Sequence, residues 1–145
     1  MDNPYCTNFK SLGTERAWIM HGSDGTDELT TTGITYVSEL NKGKIIEFEV
    51  HPSDANIPTA KIEDLKGRDP NYNAQAIIEM LSGSASAYRN VVILNASAAL
   101  IVAGKVKTLR EGCEHAAQAI DNGEAKRVLS RLVNMTNQDT NGENI

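Results

Sequence analysis

All strand-like segments of this 145-residue chain fall within its first fifty residues, and the later residues have the period of helices. That asymmetry constrains the fold more than any other feature. The first segment, Arg16–Met20, is short and almost wholly apolar. A run of this kind is typically buried on both faces, as in a parallel sheet. A parallel strand needs neighbours joined by crossover helices, and no later segment offers one. The chain therefore reads as the second half of a larger α/β domain whose first strands lie outside it.

The other two segments are Ile34–Leu40 and Lys44–Val50, joined by Asn41-Lys42-Gly43. The second alternates, with Ile46, Phe48 and Val50 on one side, and the connection holds a residue suited to positive φ. The pair predicts a β-hairpin, and its half-polar faces predict the edge of the sheet, not its centre. Upstream, residues 1–12 are polar and irregular, except that Phe9–Gly13 reads as the last turn of a helix with Gly13 as its cap. Downstream, His51–Pro58 is a loop. Helices are predicted over Asn73–Leu81, Ala85–Val102, Thr108–Asn122 and Glu124–Met135, each closed by glycine or by a polar segment. Apolar residues nearly encircle the second of these, which predicts deep burial. The fourth carries Val128, Leu129, Leu132 and Val133 on one stripe. Residues 1–136 form one partial domain and 137–145 a polar tail.

Composition narrows the function. A net charge of -5 argues against general nucleic-acid binding, which needs a basic face. It leaves room for a phosphorylated small molecule held through a metal. Two cysteines, Cys6 and Cys113, are too few for a disulfide scaffold and predict reduced thiols in a cytoplasmic protein. No segment approaches the ~20 apolar residues of a membrane span, and residues 1–10 lack the apolar centre of a signal peptide.

The densest concentration of candidate chemistry is His21–Thr30, which comes directly after the first strand. Ligands of open α/β sheets bind beyond the carboxyl ends of strands. Gly22 and Gly25 allow close backbone approach. Asp27 and Glu28 are adjacent, and like charges side by side disfavour each other unless a cation compensates. Mg²⁺ takes carboxylate oxygens and waters, and bridges to substrate phosphates. The pair is therefore a candidate magnesium site, set against the simpler reading of a solvated acidic turn. Thr30, Thr31 and Thr32 read as β-prone residues leading into the next strand more readily than as phosphate contacts. An EF-hand is excluded, because its twelfth position would be Thr35 and a strand stands where a helix should follow.

Other candidates are weaker. Gly67-Arg68-Asp69-Pro70 is either a phosphate-side turn or the approach to a helix that starts near Pro70. His21, His51 and His115 lack metal-ligand neighbours at useful spacing, Cys113 near His115 being too isolated a pairing. Ser84 or Ser86 reads as a helix cap. No Ser–His–Asp arrangement or nucleophile elbow is visible.

Three segments in order carry a resemblance. "LGTERAWIMHGSDGTDELTTTG" (Leu12 to Gly33), "LKGRDPNYNAQAIIEMLSG" (Leu65 to Gly83) and "YRNVVILNASAALIVAG" (Tyr88 to Gly104) are similar to segments of anthranilate phosphoribosyltransferases. Arg68 departs from a usual glycine and Asn90 from a usual aspartate. The resemblance runs from about Phe9 to Met135 and covers that family's carboxy-terminal portion. It implies the α/β fold of the class II nucleoside phosphorylases, here as one buried strand, a hairpin and about four helices. It implies phosphoribosyl transfer from phosphoribosyl pyrophosphate to anthranilate, with release of pyrophosphate, in tryptophan biosynthesis. It also implies that Asp27 and Glu28 bind Mg²⁺ bridging to the diphosphate, and that the protein is a homo-oligomer.

The family's Gly-Thr-Gly-Gly-Asp loop, its Lys-His-Gly-Asn segment and an arginine that contacts anthranilate have no match here. Residues 1–7 also do not resemble the family. The isolated chain is accordingly expected to be inactive and to bind Mg²⁺ weakly without diphosphate. Two other readings stay open: a fragment that self-associates or docks on a partner through its unpaired strand and alanine-rich helix, and a fragment of a class II pyrimidine nucleoside phosphorylase.

Overall fold

Asn41 and Lys44 face each other across a two-residue turn in which Lys42 (φ 49°) and Gly43 (φ 79°) both take the left-handed conformation. Two successive residues of that hand match the twist of the strands they join, and glycine makes the second one inexpensive. This is the expected hairpin, seen in a computed structural model that describes residues 4–137. It joins β2 (Thr35–Asn41) to β3 (Lys44–Val50). The expected tail at 137–145 lies outside the described residues except for Asn137.

The first strand, β1 (Arg16–Gly22), pairs with β2 in antiparallel register, Arg16 opposite Asn41 and Gly22 opposite Thr35. The sheet order is β1-β2-β3. Two expectations are corrected here. β1 is not parallel to any strand among the described residues, and its residues from Arg16 to Met20 are half-buried, not enclosed on both faces. The hairpin does not sit wholly at the edge either: β2 is the central strand, which explains why Val37, Ser38 and Leu40 are buried while β3 keeps exposed positions. An apolar run fixes that a segment is a strand, but its direction is decided by the partner it meets.

Met20, Val37 and Phe48 stand opposite one another across the three strands and enter the core with Leu29, Leu94 and Ala98. Trp18 meets Phe48 edge to face, with ring centroids 5.3 Å apart, a favourable aromatic geometry. Before the sheet, α1 (Pro4–Ser11) is longer than the single turn expected and lies against β1 and β2, burying Cys6. It ends as predicted at Gly13, whose N–H donates to the Lys10 carbonyl while Thr14 N–H reaches Phe9. After two short 3-10 turns, Pro52–Ala55 and Ile62–Leu65, come α2 (Pro70–Leu81), α3 (Ala87–Val102), α4 (Leu109–Asp121) and α5 (Glu124–Thr136).

Helices α3 and α4 pack at close range. A Cβ on Gly112 would sit 2.8 Å from the Cα of Ser97, and the Ser97 hydroxyl donates to the Leu109 carbonyl at 3.0 Å. Only a residue without a side chain permits this approach, so α3 is braced from behind by α4. The burial of α3 is less complete than its sequence predicts. Val91, Leu94, Ala98 and Ile101 are buried, whereas Val92 and Val102 are half-buried and Ala99 is exposed. The α5 stripe exists, but Val128, Leu132 and Val133 are all exposed and only Leu129 is half-buried. The docking expectation rests on the strand and the alanine-rich helix: β1 has one edge without a strand among the described residues, and α3 exposes Ala99. Cys6 and Cys113 are both buried, on α1 and α4. No helix among the described residues is long and apolar enough to cross a membrane.

Candidate functional site

The acidic loop, residues 23–34, joins β1 to β2 and is built around a single carboxylate. Asp24 Oδ1 accepts from the Thr26 N–H at 3.2 Å and from the Thr26 hydroxyl at 2.8 Å. Its Oδ2 accepts from the hydroxyls of Thr30 and Thr32, each at 2.6 Å. The contact to Thr26 is a local Asx-type turn, which aspartate favours because its short side chain reaches two residues onward. The backbone closes around it: Gly22 N–H donates to Thr26 and Ser23 N–H to Ile34, both at 2.8 Å. A Cβ on Gly22 would collide with Asp24 Oδ1 and the Thr26 hydroxyl, so glycine at the strand end leaves the space this turn fills.

Partial desolvation alone would raise the Asp24 carboxyl. The hydroxyls of Thr30, Thr32 and Thr26 and the Thr26 N–H outweigh it and hold the group well below the usual carboxylate range. Thr30 and Thr31 are fully buried, and β2 begins only at Thr35. The threonines thus lead into β2 as expected without belonging to it, and Thr30 and Thr31 are enclosed. Thr30 and Thr32 are the donors that organise the loop.

Asp27 and Glu28 sit at the outer end of the same loop, both exposed. Among the described residues, no protein donor hydrogen-bonds to either carboxylate. Partial desolvation of its carboxyl, then the charges of Asp27 and Asp24, push Glu28 up from its ordinary value. A bound cation would reverse that sign. No group of three or more His, Cys, Asp or Glu side chains is placed to hold a metal among the described residues. The pair therefore fits an ion that keeps most of its waters or shares a phosphate, as Mg²⁺ does, and not a closed all-protein site.

Directly beside this pair, the chain dives inward. Leu29 is fully buried, and its backbone is gripped by Asn95 of α3: the Leu29 N–H donates to Asn95 Oδ1 at 2.9 Å, and Asn95 Nδ2 donates to the Leu29 carbonyl at 2.8 Å. Sequence reasoning did not single out Asn95. The available signal was an amide, Asn95, set in the run of small and apolar residues that follows Asn90 in the helix.

The weaker candidates separate. Asp69 caps α2 by accepting from Tyr72 N–H, Pro70 opens the helix, and the Arg68 guanidinium lies 4.6 Å above the Tyr72 ring. Asn73 bonds both the N–H and the carbonyl of Arg68. The segment is a helix start. Ser86 caps α3 and Thr108 caps α4. His21 stacks on Tyr36, with centroids 5.2 Å apart, and the pair lines an open groove of about 660 Å³ that includes neither Asp27 nor Glu28. His51 is an exposed loop residue ahead of the first 3-10 turn. Cys113 is buried on α4, where burial pushes its thiol up, whereas His115 is exposed. The structure does not bring these two into one site.

Comparison with known proteins agrees with this architecture. The anthranilate phosphoribosyltransferase of Parvibaculum lavamentivorans is 55% identical over 138 residues, covering 95% of this chain and 40% of the relative. That of Azospirillum brasilense is 50% identical over 140 residues, covering 97% and 39%. Among solved structures, anthranilate phosphoribosyltransferase from Thermus thermophilus superposes with a TM-score of 0.79 at 32% identity, covering 88% of this chain and 37% of that one. The Saccharomyces cerevisiae enzyme in complex with phosphoribosyl pyrophosphate and Mg has the same TM-score at 21% identity, a likeness of fold. The chain thus spans about 40% of the length of the curated relatives it matches. A family model described as "Glycosyl transferase family, a/b domain" matches residues 3–126. With that family model matching most of its length, the chain belongs to the glycosyl transferase family through its α/β domain.

Proposed function

We propose that this chain supplies the carboxy-terminal part of an anthranilate phosphoribosyltransferase, and that Asp27 and Glu28 are its metal ligands. One observation carries the reading. Of three carboxylates in five residues, the fold consumes Asp24 with four hydrogen bonds and leaves Asp27 and Glu28 exposed, with no donor among the described residues. Like charges held together without protein donors are what a cation-bridged phosphate site requires.

In the reaction, the anthranilate amine attacks the anomeric carbon of phosphoribosyl pyrophosphate. The bond from that carbon to the diphosphate oxygen breaks, pyrophosphate leaves, and the amine loses a proton. When bound, Mg²⁺ offsets the negative charge that builds on the departing diphosphate. The part of this chain is positional: Asp27 and Glu28 present four carboxylate oxygens at a fixed end of β1, and the Asp24 turn keeps them there. Positioning is the main demand of a group transfer with no covalent enzyme intermediate.

The diphosphate-cradling and anthranilate-contacting motifs are not in this sequence, so the 145 residues alone are expected to be inactive. The test measures pyrophosphate release with anthranilate for the chain alone and for the chain mixed with a separately expressed segment that carries the Gly-Thr-Gly-Gly-Asp loop. Activity only in the mixture is the expected result, lost in Asp27→Asn/Glu28→Gln. Release by the chain alone overturns the inactivity. Thymidine phosphorolysis by the mixture, without transfer to anthranilate, overturns the substrate assignment in favour of a pyrimidine nucleoside phosphorylase.

A further inference from the structure

We infer that Asn95 is a positioning residue for the Asp27–Glu28 pair, acting on it through the backbone of Leu29; the inference rests on the metal-ligand reading above. Asn95 lies 66 positions along the chain from Leu29, on a different element. Every amide hydrogen of its side chain is used. Nδ2 donates to the Leu29 carbonyl at 2.8 Å and to the Val91 carbonyl one turn back on α3 at 2.9 Å, while Oδ1 accepts from the Leu29 N–H at 2.9 Å. The contact to Val91 ties the amide to its own helix and fixes its rotamer. The other two bonds then grip both backbone groups of one residue, as a neighbouring strand would.

The Leu29 N–H belongs to the peptide unit that begins at the Glu28 Cα. Holding it fixes the plane of that peptide and so the direction in which the Glu28 side chain leaves the backbone. Burial of the Leu29 side chain sets only the depth of the chain at this point. The peptide could still rotate about it, and the amide grip removes that freedom. The anchor itself is rigid, because α3 is locked to α4 at Ser97 and Gly112. On the far side of the pair, the Asp24 turn supplies the second fixed point. Asp27 and Glu28 are thus held between a local polar turn and a long-range clamp. No other side chain in the described residues bonds both backbone groups of a residue in this loop. Asn73 forms the same kind of clamp on Arg68, only five positions away and outside the loop, which makes it the matched control.

The experiment uses the full chain and compares Asn95→Ala, Asn95→Asp and Asn73→Ala with the parent. The first readout is amide hydrogen exchange. Asn95→Ala is expected to speed exchange at Leu29 about tenfold while the β2–β3 amides keep their protection. Asn95→Asp keeps the side-chain volume but turns an oxygen, in place of Nδ2, on the carbonyls of Leu29 and Val91. It is expected to speed Leu29 exchange at least as much as Asn95→Ala, which a mere loss of packing volume would not produce. The second readout is the shift of the Asp27 and Glu28 amide signals on titration with MgCl₂ and inorganic pyrophosphate. Asn95→Ala is expected to raise the apparent dissociation constant about fivefold, and Asn73→Ala to leave it unchanged. Unaltered Leu29 exchange in Asn95→Ala overturns the inference, as does faster exchange with unaltered metal–pyrophosphate binding. If the parent shows no shift at Asp27 and Glu28 even when mixed with the segment that carries the Gly-Thr-Gly-Gly-Asp loop, the metal-ligand reading fails. The exchange arm then still decides whether Asn95 orders the loop. Should Asn95→Ala fail to fold, Asn95→Asp against Asn73→Ala carries both readouts.

Discussion

Asp24 and Glu28 stand four residues apart in one loop, and the protein treats them in opposite ways. Both feel partial desolvation, which alone would raise each. At Asp24, three hydroxyls and one N–H reverse the sign. At Glu28 no donor arrives among the described residues, and the neighbouring charges of Asp27 and Asp24 add to the rise. The Asp24 half of the loop is structure made from a carboxylate, and the Asp27–Glu28 half holds carboxylates with no donor among the described residues. The contrast teaches that an acidic cluster is not one object: what distinguishes its members is the placement of donors, not their number of charges.

The largest effect should come from removing the inner carboxylate. Asp24→Ala deletes the acceptor for Thr26, Thr30 and Thr32, and the buried Thr30 hydroxyl loses its ionic partner. Hydrogen bonds to charged groups contribute roughly 1.5–3 kcal/mol each when well formed, but Asp24 is exposed and water replaces part of what is lost. A net destabilisation of about 2 kcal/mol is expected in urea unfolding at neutral pH. Asp27→Ala, measured alongside, should change stability by less than about 0.5 kcal/mol. Equal losses at the two positions would erase the distinction between the halves of the loop.

Acid titration should sharpen it. The folded-state Asp24 is depressed, so the unfolded chain binds the proton more readily. The stability it contributes is fully present above the unfolded value and is lost as pH falls from about 4 towards the folded value. Glu28 is raised, so the folded chain takes up that proton first. Its charged form costs stability at neutral pH, and the cost is relieved as pH falls through its folded value, above about 4.3. Asp24→Asn should therefore flatten the decline in stability below about pH 4, measured as urea midpoint against pH, and leave the region above it unchanged. A decline of undiminished steepness in Asp24→Asn would assign the acid sensitivity to other carboxylates.

Local chemistry in this chain is legible in its sequence, and long-range partnership is not. Asn41-Lys42-Gly43 announces its turn, Thr108 and Ser86 announce helix starts, and Gly13 announces a helix end, because each works through atoms a few residues away. The adjacent charges of Asp27 and Glu28 are likewise a local fact, readable as a candidate metal pair. The direction of β1 escapes such reading because Ala-Trp-Ile-Met carries no record of the strand it meets. The α5 stripe is present as its pattern predicts, yet a pattern does not say what covers it. The same holds for Thr30 and Thr32: as residues they are β-prone, and only the return of the chain onto Asp24 makes them donors. Asn95 is the extreme case, since its partner lies in another element.

The smallest effect is expected at Glu28, and it has the opposite sign. Glu28→Gln removes one of two adjacent charges without removing any hydrogen bond among the described residues. Relief of like-charge repulsion on an exposed surface amounts to a few tenths of a kcal/mol, about 0.3 at low ionic strength. The variant should therefore be slightly more stable than the parent at pH 7. The gain should fade as salt is raised towards 1 M, where screening acts within about 3 Å. It should also vanish below the folded Glu28 value, where the parent is already neutral at this position. A loss of stability in Glu28→Gln at low salt would mean that the carboxylate has a protein partner. The outer half of the loop would then be structural like the inner half, and its claim on a metal would be weakened. A gain at Glu28 paired with a loss at Asp24 is the pattern of a loop held together by one carboxylate while another, four residues on, is kept charged at a cost.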